Sequence, residues 1–262
     1  MIKLENTEVY GWKTAIHGMR NPMNSWDKSD SRLGCKNHFG GTLYCDAGAD
    51  CPNWYECYGA DADLIIGPAD LALMKKLANA GSDHRKFLRF ITATVDITAP
   101  LYWWKEFDTY KVGTVANSCS TMHKIHEKEF TLEDFSHEQL IMGCDIGCNI
   151  QDSLKSYVAV REHDGVSCLW STVQVLLTVI KSLNANREAY LETKDKRYWW
   201  QMIQLLPTSY NQRRTVLLNY EVLRNMYHAR KAHKLDEWRE GFCGWVKSLP
   251  YAELITGDAD ND

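Results

Sequence analysis

Apolar and polar residues alternate with a period of two in one short stretch of the chain and follow a helical period in several longer ones. Over residues 91–98, apolar side chains alternate with threonine and aspartate, which predicts a half-buried strand. Before it, the helical spacing that begins at Pro68 stops at Gly81, a suitable C-terminal cap. After it, Pro100 favours a helix over residues 101–110. The pattern predicts helix, strand and helix in quick succession.

Helical spacing dominates the remaining chain. Neither an internal repeat nor a linker rich in Pro, Gly or Ser divides it, so we expect a single domain over residues 1–262 with a loop-rich, Cys-containing insertion at about 18–67. The predicted class is α+β with helices in the majority. Further helical features are a capping-box-like start at Thr131-x-x-Asp134 and helices over 171–191, 213–232 and 235–249.

Charge changes this picture only locally. The chain carries 30 Lys and Arg against 34 Asp and Glu, which argues against a duplex-DNA-binding protein. Between Lys194 and Arg239, however, ten basic residues face four acidic ones. This excess suits a phosphorylated small ligand, although a solvated helix face would give the same count. The longest apolar run, 173–180, is far too short to span a bilayer, and the N-terminus lacks a targeting signal, so we expect a cytoplasmic protein.

Two stretches near the N-terminus contain candidate ligand-binding residues. Residues 19–31 are polar, aromatic and turn-forming without any periodicity, which fits either a loop that lines a ligand site or an ordered surface loop. The second stretch fits either a zinc site or an ordinary Cys-containing loop, because only its first Cys and the His have the tight spacing of a zinc knuckle. Its candidate ligands are Cys35, His38, Cys45, Cys51 and Cys57.

A polar signature follows the predicted aromatic helix. The order and spacing of four parts of the chain resemble the flavin-dependent thymidylate synthase family. These parts are helix 68–81, strand 91–98, Ala99-Pro100 and the segment from Val115 to His123. That family carries the signature Arg-His-Arg-x-x-Ser-x-Asn-x-x-Ser-x-Arg-Tyr. This chain keeps Asn117 and Ser120, has Thr109-Tyr110-Lys111 near the Arg-His-Arg position, and ends in Met122-His123.

A second block resembles the same family. It starts with Leu205-Leu206-Pro207, and Arg230 falls where the family places an arginine that holds the nucleotide. The two blocks cover about 110 of the 262 residues. The further residues of this block are Tyr210, Gln212, Asn219, Leu223, His233 and Trp238.

The resemblance implies an α+β fold that is helix-rich with a small, mainly antiparallel sheet, and a homotetramer that binds FAD and dUMP. It implies transfer of a one-carbon unit from methylenetetrahydrofolate to C5 of a pyrimidine deoxynucleotide, with NADPH as reductant. Arg230 is the implied catalytic residue and also a nucleotide ligand. The other implied nucleotide-binding residues are Asn117, Ser118, Ser120, His123, Gln212 and Arg213, and the implied cofactor-binding residues are His84, Arg85, Lys111 and Asn219.

Three functions remain open from the sequence. The first is a divergent enzyme of this family. The second is a catalytically silent oligomeric scaffold that binds a nucleotide or a protein and has a regulatory or sequestering role. The third is a zinc-containing protein that uses the cysteine cluster to bind nucleic acid.

Overall fold

The computed structural model describes residues 2–35, 62–141, 158–161 and 167–257. Helices make up most of the regular structure in these ranges. The α-helices are α1 (Trp12–Arg20), α2 (Pro68–Asn79), α3 (Leu101–Phe107), α4 (Thr172–Thr193), α5 (Lys196–Leu205), α6 (Tyr220–Arg230), α7 (Cys243–Ser248) and α8 (Glu253–Thr256). Short 3-10 helices span Asn21–Met23, Trp26–Lys28, Arg85–Phe90 and Leu132–Asp134, and a π-helix spans Glu237–Phe242.

The strands of the described ranges form one four-stranded sheet and two antiparallel pairs. In the sheet the order is β1-β4-β8-β5, so β1 and β5 lie at its edges. This helix-rich α+β fold with a small, mainly antiparallel sheet confirms the predicted class. The strands are β1 (Lys3–Tyr10), β2 (Arg32–Cys35), β3 (Ala62–Ile65), β4 (Thr92–Pro100), β5 (Thr114–Ser118), β6 (Val158–Arg161), β7 (Ser167–Trp170) and β8 (Asn211–Asn219).

Several predicted element boundaries are confirmed, and local chemistry explains them. Strand β4 alternates buried and half-buried residues along its length, as its sequence pattern requires. Helix α4 starts at a capping box in which Ser171 accepts a hydrogen bond from the Gln174 amide and the Gln174 side chain accepts one from the Ser171 amide. The Thr131 and Asp134 capping box also forms, but it begins only the 3-10 turn.

The helix predicted over 213–232 is wrong in its first third. Strand β8 occupies 211–219, and α6 begins only at Tyr220. The run Val216-Leu217-Leu218 fits both the helical and the strand period. In the structure Gln212, Val216 and Leu218 are buried, whereas Arg213 and Thr215 are exposed. Asn219 then caps α6, since its side chain accepts a hydrogen bond from the Val222 amide.

The first of two compact units consists of residues 1–5, 96–110 and 116–215. Part of its core is an aromatic group on α3, where Trp103 and Trp104 are fully buried and their ring centroids lie 4.9 Å apart. This pair therefore belongs to the core. A second core cluster joins α4 and α5 to the preceding segment through Ile125, Phe130, Phe135, Leu176, Ile180, Leu183 and Met202.

The second unit consists of residues 6–95, 111–115 and 216–262. Its buried residues include Met74 of α2, Leu88 of the 3-10 helix Arg85–Phe90, Leu223 of α6 and Trp238 of the π-helix. The prediction of one domain with an insertion at about 18–67 stays a prediction. Within the described residues, we find no helix that has both the length and the apolar character needed to cross a membrane.

Candidate functional site

Gln212 on β8 organises the polar turn that follows β5 in the first unit. Its side-chain amide donates a hydrogen bond to the Cys119 carbonyl over 2.8 Å, and the Cys119 amide donates to the Arg213 carbonyl over 2.9 Å. The Gln212 side-chain oxygen accepts from Arg214 Nε over 3.0 Å, and its carbonyl accepts from the Trp104 indole. The carboxamide nitrogen therefore holds the turn, and Arg214 fixes the orientation of the carboxamide through its oxygen.

The predicted nucleotide-binding residues before and after this turn are exposed. Asn117 and Ser118 end β5, whose side chains lie largely in solvent. Ser120 Oγ accepts hydrogen bonds from the Met122 amide over 3.2 Å and from the His123 amide over 2.9 Å. The hydroxyl stabilises the turn and keeps its own proton to donate. Asn117, Ser118, Ser120 and His123 are thus all exposed within one short segment, and Gln212 is hydrogen-bonded to the turn between them.

Two arginines stand beside this turn and differ in their surroundings. Arg213 is half-exposed and forms an ion pair with Asp96 over 2.7 Å. Arg214, which the sequence analysis did not single out, lies 4.1 Å from the centre of the Trp104 ring and pairs with Asp108 over 2.7 Å. Only the Arg-Arg dipeptide in the sequence could have pointed to Arg214.

In the second unit, a buried carboxylate holds two arginines of the 3-10 helix. Glu221 on α6 is 8% exposed, pairs with Arg85 over 3.7 Å, and accepts a hydrogen bond from Arg89. Arg85 also donates to the Asn225 side chain over 3.4 Å. Its Nε is the atom that faces the Glu221 carboxylate at 3.7 Å, beyond hydrogen-bond distance. Glu221 therefore orients both arginines and is the electrostatic partner of the Arg85 Nε.

Lys111 lies in a tight turn packed against the start of α6. Gly113 in this turn has φ +76°, and a Cβ there would lie 2.5 Å from Asn219 Nδ2, so only glycine fits. Asn219, predicted to bind the cofactor, therefore caps α6 and supports the turn that carries Lys111. Lys111 and the predicted His84 are both exposed.

Arg230 ends α6 against an aromatic ring. Its guanidinium lies 5.1 Å from the centre of the buried Trp238 ring. Nearby, the pKa of His228 is lowered, first by burial and then by the positive charges of Arg224, Lys231 and Arg85. Burial is the larger of these causes, and the three positive charges act in the same direction.

A cavity of about 530 Å³ also lies in the second unit, between α1, the residues that precede β2, and β3. Arg20 lines it and forms a buried ion pair with Asp70, which lies behind the lining, with N–O distances of 2.6 and 2.7 Å. Asp70 also accepts hydrogen bonds from the Ser29 and Ser31 hydroxyls, each over 2.6 Å. The residues of 19–31 therefore include residues that line a cavity, as one of the two open interpretations expects.

The neighbouring Asp30 fixes the same segment to α2. Its carboxylate accepts hydrogen bonds from the Ala69 and Asp70 amides over 2.8 and 3.0 Å, so it caps the helix from a distant part of the sequence. A Cβ on Gly67 would lie 2.2 Å from Asp30 Cγ, and this close approach requires glycine. The sequence analysis missed this arrangement.

The predicted zinc ligands lie largely outside the described residues. His38, Cys45, Cys51 and Cys57 are not described, and only the backbone of Cys35, in β2, is. Within the described ranges no group of three or more His, Cys, Asp or Glu is arranged to hold a metal ion. The zinc site remains a prediction.

The fold has solved relatives. No protein-family model matches the chain, and no curated protein matches it. A crystal structure of the flavin-dependent thymidylate synthase ThyX from Helicobacter pylori with FAD and dUMP is 13% identical, with a TM-score of 0.58 over 97% of this chain and 98% of that one. A second crystal structure of ThyX from the same organism with FAD and dUMP, at 14% identity, gives a TM-score of 0.56 over 98% of both chains. The chain therefore has the fold of these enzymes.

Proposed function

We propose that this protein is an enzyme similar to the flavin-dependent thymidylate synthases. It binds FAD and a pyrimidine deoxynucleotide resembling dUMP, and it transfers a one-carbon unit to C5 of the base. The observation that carries the proposal is a likeness over nearly the full length of both chains to structures that contain FAD and dUMP. Methylenetetrahydrofolate as donor and NADPH as reductant complete the proposed reaction.

The residues of the second unit fit the pyrophosphate of a flavin nucleotide. Arg85 is a cation that Glu221 and Asn225 hold in place, and His84 and Lys111 add exposed donors. Phosphate oxygens accept such charge-assisted hydrogen bonds well. We propose that these three residues hold the pyrophosphate, while Asn219 fixes the turn that carries Lys111. When bound, the flavin supplies the hydride chemistry, and the protein supplies binding and orientation.

The surface at the end of β5 supports nucleotide binding in the first unit. Asn117, Ser118, Ser120 and His123 offer amide, hydroxyl and imidazole groups in the exposed segment, and these groups suit a pyrimidine edge and phosphate oxygens. Gln212 holds the turn from below. In this proposal Gln212 and Ser120 act as positioning residues as much as ligands, because their hydrogen bonds fix the backbone of residues 119–123.

Flavin affinity is expected to be weaker than the family signature would give. Lys111 is a single point charge, whereas the Arg-His-Arg of the signature contains two planar guanidinium groups that bind phosphate through paired hydrogen bonds. Loss of one such contact raises the dissociation constant by about one to two powers of ten. The purified protein would then be colourless and still bind added FAD. Lys111→Arg should tighten binding if the lysine reaches the flavin.

A titration with FAD, followed by flavin fluorescence, tests the cofactor proposal. We expect saturable quenching in the wild-type protein and at least tenfold weaker binding in Arg85→Gln. Arg89→Gln is the matched control, since Arg89 contacts the same Glu221 but its side chain is 54% exposed, against 20% for Arg85. Absence of saturation up to about 1 mM FAD, or a binding free energy weaker than about −4 kcal/mol, would contradict flavin binding.

Turnover is tested separately. The protein is incubated with dUMP, FAD, NADPH and methylenetetrahydrofolate, and the nucleotide is analysed by mass spectrometry for an added methyl group. Methylated product supports the enzyme. If dUMP binds in calorimetry and stays unmodified, the silent nucleotide-binding scaffold becomes the better explanation.

A further inference from the structure

The cavity beside α1 shares no residue with the surfaces assigned above to the nucleotide and the flavin. Its volume of about 530 Å³ lies within the range of about 300–1,000 Å³ that is typical of small-molecule sites. Lys13, His17 and Arg20 reach it from α1 at positions i, i+4 and i+7, which place them on one face of the helix. Arg32 lines it from β2.

The interior of the cavity is electrically neutral. Arg20 donates to Asp70 Oδ1, and Ser29 and Ser31 donate to Oδ2. Asp70 therefore has its charge balanced by Arg20 and both oxygens occupied, so it neither repels an anion nor binds a cation.

The rim is positive. Lys13 is an exposed cation that lines the cavity, and no acidic side chain belongs to the lining that the structure describes. An anionic group is thus favoured at the rim, and a cationic ligand is disfavoured.

One wall provides an aromatic surface. The Trp26 ring stacks on His17 with a centroid distance of 5.9 Å and an angle of 18° between the planes. Its indole N–H donates to Asn21 Oδ1 over 2.8 Å, which fixes the orientation of the ring. The side chain nevertheless remains 44% exposed, which leaves ring surface available for stacking.

We propose that this cavity binds a small phosphorylated compound with a planar aromatic ring, of the size of a nucleoside monophosphate. Lys13 binds the phosphate, and Trp26 stacks on the ring. The fixed Arg20–Asp70 pair holds α1 and the segment before β2 in the geometry that the ligand needs. This site does not rest on the function proposed above.

Isothermal titration calorimetry with AMP, GMP, CMP and UMP tests the site, with adenosine and inorganic phosphate as partial probes. We expect at least one monophosphate to bind with a dissociation constant below about 1 mM, and each partial probe to bind at least tenfold more weakly. Lys13→Gln and Trp26→Ala should each weaken binding of that monophosphate at least tenfold. Lys28→Gln is the matched control, because Lys28 is exposed in the same segment and does not line the cavity.

Arg230→Ala separates this site from the one in the proposed function. Binding that survives in Arg230→Ala and is lost in Lys13→Gln supports the cavity. Binding that is lost in Arg230→Ala and kept in Lys13→Gln would assign the nucleotide elsewhere and overturn the inference. Absence of binding by all four monophosphates would overturn it as well, as would equal binding of inorganic phosphate, which would indicate a simple anion site. Circular dichroism checks that each variant is folded.

Discussion

Asp70 is a carboxylate with no exposed surface, and Arg20, Ser29 and Ser31 donate hydrogen bonds to it. Removal of its charge leaves the Arg20 guanidinium buried without a counter-ion, and such broken pairs typically cost 3–5 kcal/mol. We therefore expect Asp70→Asn to lower the free energy of unfolding by about 3 kcal/mol. Urea denaturation measures this, with exposed Asp27→Asn as the control. Equal midpoints for the two variants would contradict it.

The same carboxylate makes stability depend on acid. Burial alone would raise the pKa of Asp70, but the hydrogen bonds from Ser29, Ser31 and Arg20 together outweigh it, so the pKa lies below 3.8. Because the folded state binds this proton less tightly than the unfolded state, its contribution is complete above the unfolded pKa and is lost as the pH falls through the folded pKa. The stability difference between wild type and Asp70→Asn should be constant above about pH 5 and shrink below 3.8. A constant difference down to pH 2 would count against this.

Arg230 is the residue with the clearest expected effect on nucleotide binding. Arg230→Ala should weaken binding of dUMP by about 1.5–3 kcal/mol, which is the usual value of a charge-assisted hydrogen bond. Because its guanidinium also contacts Trp238, a small loss of stability of about 0.5–1 kcal/mol should accompany it. Calorimetry and thermal denaturation measure the two effects. Arg239→Ala, in the exposed part of the π-helix, should change neither. Unchanged dUMP affinity in Arg230→Ala would remove Arg230 from the site.

At the scale of elements, the join between the segment before β2 and α2 depends on one close approach. Gly67→Ala would place a methyl group 2.2 Å from Asp30 Cγ and 2.6 Å from its backbone carbon, so we expect a loss of about 1–3 kcal/mol. Gly244→Ala is the opposite case, because nothing lies within 4 Å of its added Cβ in α7. Alanine exceeds glycine in helix propensity by up to about 1 kcal/mol, so that variant should be more stable than wild type. Thermal denaturation of both variants checks the pair, and equal shifts would contradict it.

The sequence predicted the elements with strong periodicity and missed those that tertiary structure selects. Strand β4 and helices α2 and α4 stand close to their predicted limits because their patterns fit one period only. Strand β8 was predicted as helix, since its apolar run fits both periods and only pairing within the sheet decides between them.

In the candidate sites, too, local patterns can be read from the sequence, whereas contacts between distant residues cannot. Residues that follow one another, such as 117–123, were singled out because a local signature marks them, and their roles stay predictions. The contacts of Asp70 with Ser29 and Ser31 join positions about 40 residues apart, and no local pattern indicates them. Arg85 was singled out by its place before β4, but its ion pair with the buried Glu221 could only be seen in the structure.

At the scale of the whole molecule, we expect a homotetramer. Strand β5 lies at an edge of the sheet with almost all its side chains exposed, and Val112 and Val115 beside and within it are 87% and 67% exposed. Exposed edge strands with apolar residues favour contact with another chain.

Multi-angle light scattering tests this expectation. The wild type should give the mass of four chains at micromolar concentration, and Val115→Lys should give a smaller mass because a charge would be buried in the contact. Met23→Lys, at a residue 80% exposed far from β5 in the sequence, should leave the mass unchanged. A monomeric wild type would contradict the tetramer.

The β2–β3 pair has a consequence for how this chain can change in length. Cys35 and Ala62, which flank residues 36–61 in the sequence, are direct partners in the antiparallel β2–β3 pair. The entropic cost of closing a loop grows by only about 0.6 kcal/mol for each doubling of its length. Insertions, deletions or a grafted peptide between Cys35 and Ala62 therefore cost little chain entropy. New sequence can be added there while β2 and β3 stay in register.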